Sequence, residues 1–322
     1  MTFSQLHYLV RRVFLDFKIN GFTKTLRKIS LRLGSSKIHF TPKENIYVDT
    51  LSKDTTTDDL VSIVIPFKDK PELLQKCIGS ILKSTYTNFE IIGVNNNSVE
   101  QKTFECMQRL QQQDSRIRFV DYNVVFNFPK INNYAVQNFT NGKYLVFMNN
   151  DIELISADWI EWFLSYVNLE KSGTVGAKLY YPNETLQHAG VAVLDKNGIS
   201  EHIGQYIQRY SEDDLYTYPR YVMSNTAALM MMKKETFEKI GGFDEKLAID
   251  YNDVDLSLKC IEHGYKNIWI PFVEAYHYES VSRGDNWNVE KLARFEKERR
   301  HLARKHADLI KDGDIYYETV YR

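Results

Sequence analysis

Residues 61–98, VSIVIPFKDKPELLQKCIGSILKSTYTNFEIIGVNNNS, decide the fold. The runs at 61–66 and 89–94 are apolar without alternation, the pattern of strands buried on both faces. Between them Leu73, Leu74, Cys77, Ile78, Ile81 and Leu82 recur at helical spacing behind Pro71. Further out, IRFV (117–120) and KYLVFM (143–148) read as two more buried strands, and Phe104, Met107 and Leu110 mark the helix between the second and third runs. This β-α-β-α-β rhythm predicts a parallel sheet with crossover helices.

After residue 150 the rhythm loosens. A Trp-rich helix (Trp159, Ile160, Trp162, Phe163, Tyr166, Val167) leads to TVGAKL, a polar stretch at 195–225 and the apolar run TAALMMM at 226–232. A helix ending at Gly241-Gly242, a second at 253–263 stopped by Gly264, and strands near 268–278 follow. The expected class is therefore α/β, with a mixed second half. Trp159, Trp162, Phe163 and Met230–Met232 read as core. Val289–Ile310 reads as a helix docked on the body.

The 322 residues are 43% hydrophobic and 26% charged, with 15 Gly and 7 Pro, which excludes disordered and collagenous chains. Cys77, Cys106 and Cys260 form no metal-ligand spacing and read as reduced thiols. The net charge of −1 hides an asymmetry: residues 1–40 hold eight Lys and Arg against the single acid Asp16, whereas the other 282 hold 33 basic and 41 acidic side chains. Apolar residues at helical spacing in 3–33, broken at Asn20-Gly21, fit two readings: helices packed on the body or another subunit, or a basic amphipathic hairpin on an anionic membrane. The start lacks a signal-peptide order and no run has membrane-span length, so a cytoplasmic protein is expected. The expected organisation is a basic helical extension (1–40), a linker (41–60), a main domain (61–284) and a C-terminal helix and tail (285–322).

In parallel α/β sheets ligands bind beyond the carboxyl ends of the strands. Three of those ends carry polar clusters: Pro66-Phe67-Lys68-Asp69, Asn95-Asn96-Asn97-Ser98 and Asn149-Asn150-Asp151-Ile152-Glu153. Any one could simply cap a turn, since Asn favours turns; three on neighbouring strand ends point to one crevice. Asp151 and Glu153, two apart on extended chain, can face the same side, as suits a hard divalent cation such as Mg²⁺ or Mn²⁺. No Gly-rich phosphate loop is present. A second acidic centre, Asp250–Asp255, opens a helix with Asn252 as a reasonable N-cap; one acid there suits the helix dipole, and three suggest a carboxylate aimed as a base.

These stretches resemble the inverting family 2 glycosyltransferases of GT-A fold, the Rossmann-like nucleotide-diphospho-sugar transferases with a mixed central sheet, over about residues 61–281. The carriers are SIVIPFKDK, IIGVNNNS, FMNNDIEL in place of DxD, GGFDE, NDVDLSLK in place of the ED motif, and YHYES. LYYPNETLQHAG and FNFPKINN further resemble bacterial enzymes of O-antigen and capsule synthesis, rhamnosyltransferases among them.

By position, the resemblance makes Asp151 a metal ligand, with Asn149 and Asn150 beside the nucleotide sugar and His277 helping to hold metal or diphosphate. It places Pro66, Phe67 and Asn96 at the base, Lys130 and Asn133 at the nucleotide sugar, and Asp253 as the catalytic base. His188 and Asp255 are candidate acceptor-site residues. Asn at positions 95, 96 and 149 makes the pocket less acidic, and both UDP- and dTDP-sugars stay open.

The implied reaction moves a sugar, with inversion and metal assistance, to a glycan or lipid-linked glycan. In that setting residues 1–40 would be a peripheral contact at the inner face of the membrane, and nucleic acid is not an expected partner. A non-catalytic carbohydrate-binding or assembly subunit and a glycoside hydrolase are the alternatives; the hydrolase needs paired carboxylates but no nucleotide crevice.

Overall fold

The structure is a computed structural model that describes residues 38–278 and 289–321. The basic stretch through residue 37 lies outside the described residues, and so do Glu279 and Ser280 of the YHYES stretch. The first half runs β1 (Ile38–Pro42), β2 (Val61–Phe67), α1 (Pro71–Ile81), β3 (Phe89–Asn95), α2 (Gln101–Gln113), β4 (Ile117–Asp121), α3 (Phe128–Phe139), β5 (Tyr144–Met148), β6 (Ile152–Leu154) and α4 (Trp159–Val167). The second half runs β7 (Ser172–Tyr180), β8 (Leu186–His188), β9 (Val191–Val193), β10 (Ser200–His202), α5 (Asp214–Thr217), β11 (Arg220–Val222), β12 (Leu229–Lys233), α6 (Lys234–Lys239), α7 (Asn252–Glu262), β13 (Lys266–His277), α8 (Val289–Lys305) and β14 (Tyr317–Tyr321).

One large sheet has the order β11-β13-β7-β12-β5-β2-β3-β4, with β6 on β13 and β8 on β7. β4, β3, β2 and β5 are parallel; β12 runs antiparallel between β5 and β7, which makes the sheet mixed. Its apolar strands are explained by two cores. Ile63, Ile65, Ile91 and Val146 face Leu74, Cys77 and Ile78 of α1, Cys106 and Leu110 of α2, and Trp159 and Phe163 of α4. Their strand neighbours Val64, Ile92, Leu145 and Phe147 face Ile131 and Val136 of α3, Phe237 of α6, and Leu256 and Cys260 of α7. Alternate side chains thus enter opposite cores, so no polar alternation survives in the sequence. Met230–Met232 and all three cysteines are buried, and the cysteines are free thiols.

Three details differ from the sequence reading. IRFV lies in the edge strand β4, and only Ile117 is buried there. Helix α2 buries Thr103, Cys106 and Leu110, while Phe104 stays 40% exposed. The stretch expected as a linker at 41–60 lies along the body: Ile46 is buried, its carbonyl accepts from Tyr221 N–H at 2.8 Å, and Asp54 N–H reaches Ser165 Oγ at 2.8 Å. β1 pairs antiparallel with β14, Ile38 opposite Tyr321. No helix among the described residues is long and apolar enough to cross a membrane.

Candidate active site

The loops after β2, β3 and β4 are tied into one rim. Asp69 and Lys70 take φ of +51° and +57°, and Asn97 +62°, conformations uncommon outside glycine. Asp69 Oδ1 accepts the N–H groups of Val99 (2.8 Å) and Glu100 (2.9 Å), which explains why the chain holds that conformation there. Asn96 N–H donates to Phe67 O at 2.9 Å, and its side-chain amide donates to Tyr122 O (2.8 Å) and Val124 O (2.9 Å). The amide's hydrogens are thereby committed to the loop after β4. Pro66 and Phe67 were expected as base contacts, but both are buried: Phe67 packs edge-on against Phe119, ring centroids 5.6 Å apart. The strand's alternation turns that ring into the core.

Across the sheet, β6 follows the asparagine pair and adds to β13 with His277 opposite Ile152. That register sets Asp151 Oδ1 3.3 Å from His277 Nε2, with Asn149 Nδ2 3.4 Å from the same nitrogen. His277 Nδ1 stands 2.7 Å from Gln187 Oε1. An amide oxygen accepts only, so Nδ1 donates to Gln187 and the ring is turned with Nε2 towards the Asp151 carboxylate. A carboxylate oxygen and an imidazole nitrogen this far apart match two neighbouring ligands of one cation. Neighbouring ligands of an octahedral ion at about 2.1 Å stand about 3 Å apart. Among the described residues no three His, Cys, Asp or Glu side chains gather as a metal site, so an ion here would draw its other ligands from amide, phosphate or water oxygens. Glu153 does not join Asp151: its carboxylate is held by Lys76 Nζ (2.8 Å) and Tyr278 Oη (2.7 Å). Asn150 is half-buried at the same turn.

Asp253 lies beside this site. Its Oδ2 accepts Ala227 N–H at 3.3 Å, and Ala228 O accepts Asn149 N–H at 2.9 Å, so two residues of backbone join the proposed base to the asparagine-aspartate turn. Ser224 Oγ donates to Asp253 O (3.3 Å) and sits 3.1 Å from Ser257 Oγ, clamping the start of α7 to the same segment. The N-cap is Tyr251, at φ +63°, rather than Asn252, whose amide turns back to Ile249 O at 3.0 Å.

Three expected site residues, Asp255, His188 and Asn133, are committed elsewhere. Asp255 is fully buried away from the crevice, bonded to His306 Nε2 (2.9 Å) and Lys305 Nζ (2.7 Å); these contacts and Lys259 hold its carboxyl below the usual range despite burial. His188 is fully buried too: Nε2 accepts Gly190 N–H (3.2 Å), Nδ1 stands 2.8 Å from His202 Nδ1, and desolvation keeps it neutral, its pKa well below 6.5. It cannot touch an acceptor, and it supports the 226–227 segment through Thr226 N–H at 3.5 Å. Asn133 spends its amide on the backbone of Phe243, accepting at 3.0 Å and donating at 3.0 Å, and so brackets the GGFDE loop. Lys130 sits half-buried in the first turn of α3, its N–H capped by Asn127 Oδ1 at 2.9 Å.

Two residues that shape the site escaped the sequence reading. Gln187 orients His277; its signal was its place beside His188 in Leu186-Gln187-His188, since neighbours on a strand point to opposite sides. Glu298 of α8 accepts Ile249 N–H (3.3 Å) and Asp250 N–H (2.7 Å), holding the turn that launches α7. Nothing in the local sequence of α8 announces that role.

A mixed sheet with a parallel nucleotide-type half, and a carboxylate and histidine beside the end of a central strand, define a GT-A-type transferase scaffold. The family model for glycosyl transferase family 2 matches residues 62–241, and the chain belongs to that family. It is 35% identical over 230 residues to the O-antigen biosynthesis protein RfbC of Myxococcus xanthus, covering 69% of this chain and 18% of that protein. It is 38% identical over 257 residues to the uncharacterized protein y4gI of Sinorhizobium fredii, covering 76% and 27%. The chain thus spans under a third of either relative's length. Among solved structures, GalNAc-T7 with UDP, GalNAc and Mn²⁺ superposes with a TM-score of 0.61 at 14% identity, over 80% of this chain and 48% of that one. The mannosyltransferase PcManGT from Pyrobaculum calidifontis, in complex with GDP-Man and Mn²⁺, gives 0.54 at 15% identity, over 83% and 77%. Both likenesses establish the GT-A fold.

Proposed function

We propose that this chain transfers a sugar from a nucleoside diphosphate sugar to a hydroxyl of a glycan or lipid-linked glycan, with inversion. The observation that carries this reading is the backbone link Asp253–Ala227-Ala228–Asn149, which holds a carboxylate beside the Asp151–His277 pair. In the proposed step the acceptor hydroxyl gives its proton to Asp253 as its oxygen attacks the anomeric carbon. The bond to the diphosphate oxygen breaks on the opposite face, and its electron pair leaves with the nucleoside diphosphate. Asp151, His277 and Asn149 would hold a divalent ion, which when bound neutralises the charge on the departing diphosphate. Asn96, its amide hydrogens committed, would accept an N–H from the base; uracil and thymine both present one.

The test pairs binding with turnover. UDP-, dTDP- and GDP-sugars are screened with Mn²⁺ for thermal stabilisation and for release of the nucleoside diphosphate. One nucleotide class should stabilise the protein in a metal-dependent way. Asp253→Asn should keep that stabilisation while turnover falls about 10²-fold or more. Retention of most turnover in the variant removes Asp253 as the base, and absence of any nucleotide-dependent stabilisation removes the donor assignment.

A further inference from the structure

The segment that leads from β11 into β12 spends each backbone N–H from Ser224 to Ala228 on a definite partner. Ser224 N–H donates to Val191 O at 3.2 Å, Asn225 N–H to Ser257 Oγ at 3.4 Å and Thr226 N–H to His188 Nε2 at 3.5 Å. Ala227 N–H donates to Asp253 Oδ2 and Ala228 N–H to Thr226 Oγ1, each at 3.3 Å. Carbonyl, hydroxyl and carboxylate oxygens accept whatever else they do, whereas an imidazole nitrogen accepts in one tautomer and donates in the other. The tie at Thr226 therefore depends on where the proton of His188 sits. Geometry gives that tie its importance. Val191 and Ser224 pair through both backbone groups, at 2.8 and 3.2 Å, and the His188 ring fastens the same two segments again at Thr226. Ala227 comes next. Asp253 Oδ1 takes the N–H of Val254 in its own helix at 2.8 Å, so Ala227 is the contact that holds the carboxylate to another element.

The proton's place follows from the surroundings of the ring. His188 Nε2 also receives Gly190 N–H at 3.2 Å, so two backbone donors face it and it carries no proton. The ring is neutral, because desolvation at full burial, with His202 and Arg220 adding to it, holds its pKa well below 6.5. A neutral ring with a bare Nε2 keeps its proton on Nδ1. Nδ1 stands 2.8 Å from His202 Nδ1, which is therefore the acceptor of that pair. Arg220, fully buried, donates through Nη2 to Ala189 O and so fixes the peptide next to the ring, with its guanidinium 4.2 Å from the centroid of Trp269. A chain of donors and acceptors thus runs from half-buried His202 through His188 to the segment that holds Asp253.

We propose that His188 is a positioning residue for Asp253: held as the Nδ1–H tautomer by His202, it accepts Thr226 N–H and so sets Ala227 N–H against the Asp253 carboxylate. That this carboxylate acts as a base rests on the glycosyltransferase reading above. Proton–nitrogen correlation spectra of the full chain with labelled histidine should show His188 as the Nδ1–H tautomer. His188→Leu should move the Thr226 and Ala227 amide resonances. It should also lower kcat for release of nucleoside diphosphate from a UDP-, dTDP- or GDP-sugar about tenfold, with KM for that sugar nucleotide within about twofold. His188→Gln, whose amide oxygen reaches the place of Nε2, should restore most of kcat, a rescue that a residue acting through packing alone would not show. His202→Leu removes the acceptor of Nδ1–H and should shift part of His188 to the Nε2–H tautomer, moving the same two amides; being at a half-buried ring, it keeps the test available if His188→Leu fails to fold. An Nε2–H tautomer in the unsubstituted protein, unmoved Thr226 and Ala227 resonances in either leucine variant, or a loss of nucleotide affinity equal to the loss of kcat overturns the assignment. If none of the proteins releases nucleoside diphosphate while both amide resonances follow His188, the transferase reading fails and the tie from His188 to the Asp253 carboxylate stands.

Discussion

His277 shows how a single side chain takes its chemistry from a neighbour. With Gln187 Oε1 at Nδ1, the ring is held with Nε2 toward Asp151. Gln187→Leu removes that orientation without touching a ligand. Outer partners of metal-bound histidines typically contribute 10- to 100-fold in metal affinity, so Mn²⁺ binding, followed by the loss of free-ion EPR signal, should weaken at least about tenfold, and Gln187→Glu should restore most of it. Unchanged Mn²⁺ affinity in the leucine variant would show that His277 is oriented some other way. The same residues mark what was readable beforehand. Asp151 and His277 could be singled out beforehand because their stretches match a family order, and the structure sets them side by side. The orientation of Phe67 and Asn133 was not: whether a ring at a strand end turns in or out, and what an amide is bonded to, are settled by residues such as Phe119 and Phe243 that lie far off in sequence.

Helices α7 and α8 form the element pair on which the proposed base depends. The turn before α7 is held by Glu298, itself only 3% exposed, so Glu298→Ala leaves two backbone donors without their acceptor. A buried donor stripped of its partner costs about 1–3 kcal/mol. Urea unfolding should therefore report a loss of that order, with turnover falling more than nucleotide affinity because Asp253 rides on the same turn. Glu298→Gln, which keeps an acceptor oxygen, should recover most of both. A variant with normal turnover would uncouple α8 from the site. The central strands were legible because burial on both faces leaves a continuous apolar run, and α1, α4 and α7 announced themselves by period. β1 was not legible: IHFTP has no pattern of its own, and its partner Tyr317–Tyr321 lies at the other end of the chain.

That pairing is secured by Asp314, whose carboxylate accepts N–H groups of Val193 (2.9 Å), Tyr316 (2.8 Å) and Tyr317 (3.0 Å). Burial pushes its pKa up to about 7, with the backbone bonds partly opposing. Between about pH 4 and about pH 7 the native protein then holds a proton that the unfolded chain has released, so stability falls as pH rises through this window and levels above it. Asp244 and Asp255, held low by Lys305 and neighbouring histidines, act in the opposite direction at acid pH. Comparing urea midpoints of the unsubstituted protein and Asp314→Asn across the window cancels those shared contributions. The difference between the two should change with pH below about 7 and be flat above, and a constant offset would contradict the assignment. The β1–β14 ladder has a topological corollary. Ile38 and Tyr321 lie opposite each other across one pair of strands, so the first and last described residues leave the body side by side at its edge. A body closed in this way behaves as a cassette: it can be spliced into a loop of another protein, or carry neighbours on both ends, without any strand being pulled from the transferase sheet.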